Sequence, residues 1–235
     1  MIILVGSEKG GTGKTTVATN LAGVLKQKGR DVLLVDTDKQ GSASFWSTTR
    51  DVLINNIKKN PSAYTNIVNS EIETLKRIPN IQKFGDSITH EIEDLKSRYQ
   101  DIIIDAGGRD STELRAAITV CDVLYVPVQA SQFDMWTLGV LDNLITQGKI
   151  YNKNIASYIL FNRVSTNPGV NEVEEAREAI ANTFENLKLC KSIIKDRIIY
   201  RKAAKNGLCI NELSKQDVKA NNELEQFYLE VTTNE

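Results

Sequence analysis

SEKGGTGKTT, from Ser7 to Thr16, follows the apolar run IILV at residues 2–5 and precedes Val17, Leu21, Val24 and Leu25, which recur at helical spacing. A strand running through a glycine-rich turn into a helix is the context of a phosphate-binding loop. Gly10, Gly11 and Gly13 open backbone conformations closed to residues with a side chain. The amides around Gly10, Gly11, Thr12 and Gly13 can then converge on phosphate oxygens. The helix starting near Thr15 and Thr16 adds the positive end of its dipole. Lys14 is placed to reach the terminal phosphates, and the Thr15 hydroxyl to ligate magnesium. The stretch predicts nucleotide binding. It also holds a second lysine, Lys9, which a phosphate loop does not need.

Outward from this loop, short β-rich runs alternate with helical stripes. The strands are expected at 2–5, 32–35, 102–105, 123–128 and 156–161. Each is nearly all apolar, as in strands buried on both faces. Helical spacing links Ile88, Ile92, Leu95 and Tyr99, then Val173, Ala176, Ile180, Phe184 and Leu187, and finally Leu224, Phe227, Tyr228 and Val231. Gly29 is a candidate C-cap for the first helix. The alternation predicts an α/β fold, a P-loop NTPase with a mostly parallel twisted sheet flanked by helices on both faces. Residues 52–85 are polar, carry Pro61 and Pro79, and are expected as one or two helices with loops at the edge of the sheet.

With 235 residues, the chain is long enough for one sizeable core and is expected to be a single domain, 1–235. Its net charge is −1, so binding to nucleic acid or membrane must come from a local patch. Cys121, Cys190 and Cys209 are odd in number and widely spaced, which argues against a disulfide framework, a zinc site or an iron–sulfur cluster. They are expected as buried residues of a cytoplasmic protein. The apolar start is too short for a signal peptide, and no stretch approaches a membrane span. His90, the lone histidine, has no cluster around it and is given no role.

GxxxxGK[ST] would place a glycine where Glu8 stands. The loop fits KGGxGK[ST]T instead, and so resembles the deviant Walker A box of the ParA/MinD ATPases. The resemblance implies that Lys9 crosses a dimer interface to the partner's nucleotide. It covers residue 2 to about 165 and more weakly the remainder. LLVDTDKQGSASFW at 33–46 is similar to that family's DxDxQG motif, with Lys39 where the family usually has proline. By resemblance, Asp36 joins the magnesium shell and Asp38 orients or activates the hydrolytic water. IIIDAGGRD at 102–110 has the Walker B form, so Asp105 is expected at the metal, with Gly107 and Gly108 free to sense the γ-phosphate. Asp110 is expected to cap the next helix. Trp46 is similar to a tryptophan of short plasmid ParA proteins and is equally well a packing residue.

Guanine readers use [NT]KxD, and Asn162-Arg163-Val164-Ser165 lacks the acid. The missing acid favours ATP over GTP; by resemblance to its family counterpart Asn162 is expected at the adenine edge with Arg163 beside it, the alternative being that Asn162 is a turn residue. Residues 188–207 hold Lys188, Lys191, Lys195, Arg197, Arg201, Lys202 and Lys205 against one acid, Asp196. That is +6, leaving −7 for the rest of the chain. Such a patch can hold DNA backbone without reading bases. From Asp217 to Glu235 there are five acids and one base, unlike the basic membrane-binding helix that ends MinD-like relatives. This helix is expected to pack on the domain.

The resemblance is to short plasmid-type members, with no extra N-terminal DNA-binding domain. It implies a cytoplasmic, nucleoid-associated ATPase that dimerises with ATP and Mg²⁺ and binds nonspecific DNA. A ParB-like or ribbon-helix-helix adaptor would stimulate hydrolysis and link the switch to a plasmid. A protein body such as a carboxysome, with a McdB-like adaptor, is the second cargo. A metabolic P-loop enzyme of the dethiobiotin-synthetase type and an iron–sulfur carrier are the readings from another class.

Overall fold

The computed structural model describes residues 1–69, 75–85, 87–108, 111–130, 135–167 and 169–233. Asp110 lies outside them, and the cap of the helix that follows is Ser111, whose hydroxyl accepts from the Leu114 amide at 3.1 Å.

Seven strands form one sheet in the order β3-β2-β4-β1-β5-β6-β7, and every pairing is parallel. They are β1 (Ile2–Val5), β2 (Val32–Asp36), β3 (Asn80–Gln82), β4 (Asp101–Asp105), β5 (Val123–Val128), β6 (Ala156–Val164) and β7 (Leu187–Lys195). The helices are α1 (Lys14–Gln27), α2 (Ser42–Lys59), α3 (Ile88–Lys96), α4 (Thr112–Ile118), α5 (Met135–Gly148), α6 (Glu172–Ile180), α7 (Ile198–Lys205) and α8 (Val218–Thr233). Alternate residues of the central strands feed two separate cores. Ile3, Val5, Leu34 and Ile103 pack with α1, α2, α7 and α8, whereas Ile2, Leu4, Leu33 and Ile102 pack with α3, α4, α5 and α6. Both faces are therefore dry, which is why these strands read as unbroken apolar runs. Each fully buried Ile, Leu or Val contributes about 1.5–3 kcal/mol relative to exposure.

The C-cap of α1 is Lys28, and Gly29, expected as the cap, follows it in the left-handed region at φ 87°. The Gly29 amide donates to Lys26 O and the Arg30 amide to Leu25 O. These two bonds close the last turn and satisfy carbonyls that have no helical partner. The described part of 52–85 supplies the three-residue edge strand β3 as well as the end of α2, and residues 70–74 of that stretch lie outside the described residues.

The stripe from Val173 to Leu187 is not one helix. Helix α6 ends at Ile180, Asn182 takes a left-handed φ of 59°, and Leu187 opens β7. Apolar i, i+3, i+4 spacing happened to continue across the turn. β7 is an edge strand that presents Lys188 and Lys191 to solvent, a charge placement that discourages pairing with another chain. Along α8, Leu224, Phe227 and Val231 are buried against the core, as expected for a helix that packs on its own domain. No helix among the described residues is long and apolar enough to cross a membrane.

Candidate nucleotide site

Central strand β1 stops at Val5, and the loop that follows turns over the carboxyl ends of the strands, where open parallel sheets hold their ligands. Gly13 starts α1 in the left-handed region at φ 89°. A Cβ there would lie 2.4 Å from Asn162 Nδ2, so strain and crowding both demand glycine.

The loop is braced from several elements. Ser7 Oγ lies 3.1 Å from Thr12 Oγ1 and donates to Lys9 O at 3.2 Å. Asn162 Nδ2 donates to Thr12 O at 2.7 Å. Arg163 donates to Gly11 O at 2.8 Å, and Gln129 Nε2 to the same oxygen at 3.3 Å. Arg163 adopts φ 55°, a conformation costly for a residue with a side chain and characteristic of functional sites. Asn162 is thus a buried strut of the loop in this structure, and Arg163 is its clamp.

Lys14 and Lys9 lie on opposite flanks. Lys14 is buried, and its Nζ donates to Lys9 O at 2.9 Å. It lines a cleft of about 470 Å³ with Gly10, Gly11, Gly13, Thr15, Thr16 and Asp38. The exposed Lys9 instead lines a cavity of about 310 Å³ on the β5–α5 side of the loop.

Three acids converge on the cleft. Thr15 Oγ1 donates to Asp105 Oδ2 at 2.6 Å, and Asp105 Oδ1 is buried without a partner. Asp36 is fully buried and accepts from the amides of Asp38 at 3.1 Å and Ser44 at 2.8 Å. Asp38 accepts from the Gln40 amide at 2.9 Å and, through its carbonyl, from Gly41 at 2.9 Å. These bonds hold the turn around Lys39 without the family's proline. A Cβ on Gly107 would sit 3.4 Å from Asp38 Cγ, and one on Gly108 would sit 3.3 Å from Lys14 Nζ. The loop after β4 therefore closes on both Asp38 and Lys14.

Burial pushes the Asp105 carboxyl up to about 7; the Thr15 hydrogen bond opposes this and the Asp36 charge adds to it. Burial also lowers Lys14, against the attraction of Asp105 and Asp38. A buried carboxylate with an orphaned oxygen beside a threonine hydroxyl suits a divalent cation. Among the described residues no three His, Cys, Asp or Glu side chains form a metal site by themselves.

The basic stretch does not form one surface. Arg201, Lys202 and Lys205 are exposed on α7, and Lys195 with Arg201 lines the nucleotide cleft. Lys188 and Lys191 lie on β7, and Lys188 is roughly 23 Å from Lys195 along the strand. Arg197 is engaged by Glu223, with its Nη2 at 2.7 Å from Oε1. Trp46 is buried and donates to Leu208 O at 3.2 Å, a packing role. The three cysteines are free and buried. Tyr200, Gln129 and Ser7 reach this region without a motif to announce them; Ser7 sits two residues after β1, the one signal that could have found it.

A Rossmann-like parallel sheet with a glycine loop cradling a lysine defines a P-loop nucleotide-binding protein. The sequence model of the CobQ/CobB/MinD/ParA nucleotide binding domain matches residues 3–210, and the chain belongs to that family. It is 23% identical over 235 residues to the maintenance of carboxysome distribution protein A of Halothiobacillus neapolitanus, covering 97% of this chain and 95% of that one. It is 25% identical to the sporulation initiation inhibitor protein Soj of Bacillus subtilis, over 88% of each chain. The solved structure of a putative plasmid partition protein from Borrelia burgdorferi B31, bound to AMPPNP, superposes with a TM-score of 0.66 at 19% identity, covering 100% of this chain and 99% of that chain. The ParA/MinD fold expected from the loop and its acids is the fold observed.

Proposed function

We propose that this chain is an ATP- and magnesium-dependent switch that dimerises on ATP, binds DNA nonspecifically, and positions cargo on the nucleoid until hydrolysis releases it. The observation that carries the reading is the separation of the two loop lysines. Lys14 serves its own cleft, and Lys9 lines the other flank of the same loop. A lysine on that flank suits a second subunit's nucleotide, so a complete site would require a dimer.

Thr15, Asp36 and Asp105 would hold Mg²⁺, which neutralises phosphate charge when bound. Lys14 would leave Lys9 O for the terminal phosphates, and the loop amides would take the remaining oxygens. Asp38, anchored by the Gln40 amide and packed on Gly107, would orient the attacking water. Asn162 and Arg163 would fix the loop against the base end of the nucleotide. Face-to-face subunits would bring two α7 helices onto one surface, doubling the phosphate contacts that Arg201, Lys202 and Lys205 can make. Log affinity scales with those contacts, so dimerisation alone can gate DNA binding.

Sizing and DNA retardation with ATP, with ADP and without nucleotide test this. Dimers and retardation are expected with ATP alone; ATP-independent behaviour would reject the switch. A dethiobiotin-synthetase-type enzyme would instead show turnover only with a second substrate. Plasmid partition through a ParB-like adaptor is the first cargo. The full-length similarity to a carboxysome-distribution protein supports a protein body with a McdB-like adaptor as the second. Deleting the gene and scoring plasmid loss against body spacing separates the two.

A further inference from the structure

Helix α7 opens with Ile198, which is 60% exposed, and α8 opens with Val218, which is 68% exposed. Both line one groove of about 610 Å³, on the far side of α7 from no motif the sequence announces. That volume is in the range of ligand pockets, about 300–1,000 Å³. The buried Ile199 and Leu213 and the half-buried Ile67 share the lining. Backbone pairing fixes this wall: Val68 bridges Leu213 in antiparallel fashion, and the Ser214 amide donates to Ile67 O at 3.0 Å.

Four lysines line the same groove. Lys202 and Lys205 come from α7, and Lys215 and Lys219 from the turn before α8 and its first turn. All four are exposed, and none is paired with an acid among the described residues. The single acid of the lining, Asp217, is already engaged: it accepts from the Ala220 amide at 3.1 Å and lies 3.9 Å from Arg197 Nη1. An apolar groove among unpaired lysines is complementary to a segment with apolar residues on one side and carboxylates on the other. Duplex DNA offers phosphates to the lysines and nothing to Ile198 and Val218. Groove on groove in a twofold dimer would set the same lysines against each other. We propose that the groove takes an acidic, amphipathic segment of a partner protein, and that this segment and DNA exclude each other. The exclusion rests on the DNA reading above, because Lys202 and Lys205 serve both; the docking does not. A partner seated here would lift the chain from DNA by taking two of its phosphate contacts.

The probe is a fluorescein-labelled helical peptide of about four turns, with leucine at helical spacing on one face and glutamate on the other. Titrated with the full chain, its anisotropy should rise to saturation. Lys215→Glu with Lys219→Glu should weaken binding at least about tenfold, two charges at the strength of exposed ion pairs. Ile198→Ser with Val218→Ser should weaken it by a similar factor. All four positions are exposed, so the urea midpoint and ATP affinity of both variants should match wild type. Unlabelled peptide should also release DNA from the ATP-bound chain. No binding, or equal binding of a peptide with serine in place of leucine, would overturn the docking; the second result would leave only a surface for polyanions. Self-association of the wild type that Ile198→Ser with Val218→Ser abolishes would give the groove to a second copy and overturn it too. Peptide and DNA bound together would overturn the exclusion. A chain that binds the peptide without retarding DNA removes the DNA reading and keeps the docking, and one that retards DNA but ignores the peptide does the reverse.

Discussion

The two lysines of the phosphate loop line opposite flanks, and single substitutions test whether they do different jobs. Lys9→Ala leaves the Lys14 cleft intact, so nucleotide should still bind while ATP-dependent dimerisation and turnover are lost; unchanged hydrolysis rates would refute the cross-subunit role. Asp38→Ala should bind ATP, hydrolyse it at least a hundredfold more slowly, as expected for loss of a water-orienting group, and accumulate as dimers on sizing. Asp105 makes a prediction about pH. Its carboxyl is raised from 3.8 to about 7, so the folded chain holds a proton that the unfolded chain releases. The stability this contributes is fully present below 3.8 and is lost as pH rises through about 7. The loss is at most about 4 kcal/mol. Urea melts in metal- and nucleotide-free buffer should show that decline, and Asp105→Asn should flatten it.

Among the elements, the connection between α2 and the chain after α7 depends on one ion pair. Arg50 and Glu212 are each 1% exposed and meet in a bidentate contact, with Nη1 to Oε2 at 2.7 Å. Arg50 also donates to Lys76 O at 2.8 Å and Gly207 O at 3.1 Å, and Glu212 accepts from the Cys209 amide. Removing one partner strands a buried charge and costs about 3–5 kcal/mol, whereas replacing both with apolar residues of similar volume is close to neutral. Glu212→Ala should therefore lower the urea midpoint sharply, and Arg50→Met with Glu212→Leu should restore most of it. The pair sets where α7 emerges, and with it the exposed Arg201, Lys202 and Lys205. None of this was readable in the sequence, because Arg50 and Glu212 lie 162 residues apart. Strand β7 was missed for a related reason: its lysines mark an edge, but only the sheet order says there is an edge to defend.

At the scale of the whole molecule, charge is distributed so that α7 stays positive while α8 neutralises its own neighbours. Glu223 holds Arg197, Glu225 holds Lys28, and Glu230 accepts from the Lys191 and Ser192 amides. The acidic end of the chain is thereby spent on its own fold. DNA retardation with ATP should weaken steeply with salt. Alanine at Arg201, Lys202 and Lys205 together should lower the slope of log affinity against log salt by up to about 5, six charges per dimer at about 0.9 each. An unchanged slope would move the DNA surface elsewhere. The sequence by itself determined the phosphate loop, its acids and the parallel sheet, since each rests on residues within a few positions of one another and on strands buried on both faces. Only the tertiary structure decided that Asn162 braces the loop, that Arg197 is engaged by α8, and that Lys9 and Lys14 line opposite flanks. Those facts depend on contacts between elements far apart in the chain, and local spacing carries no record of them.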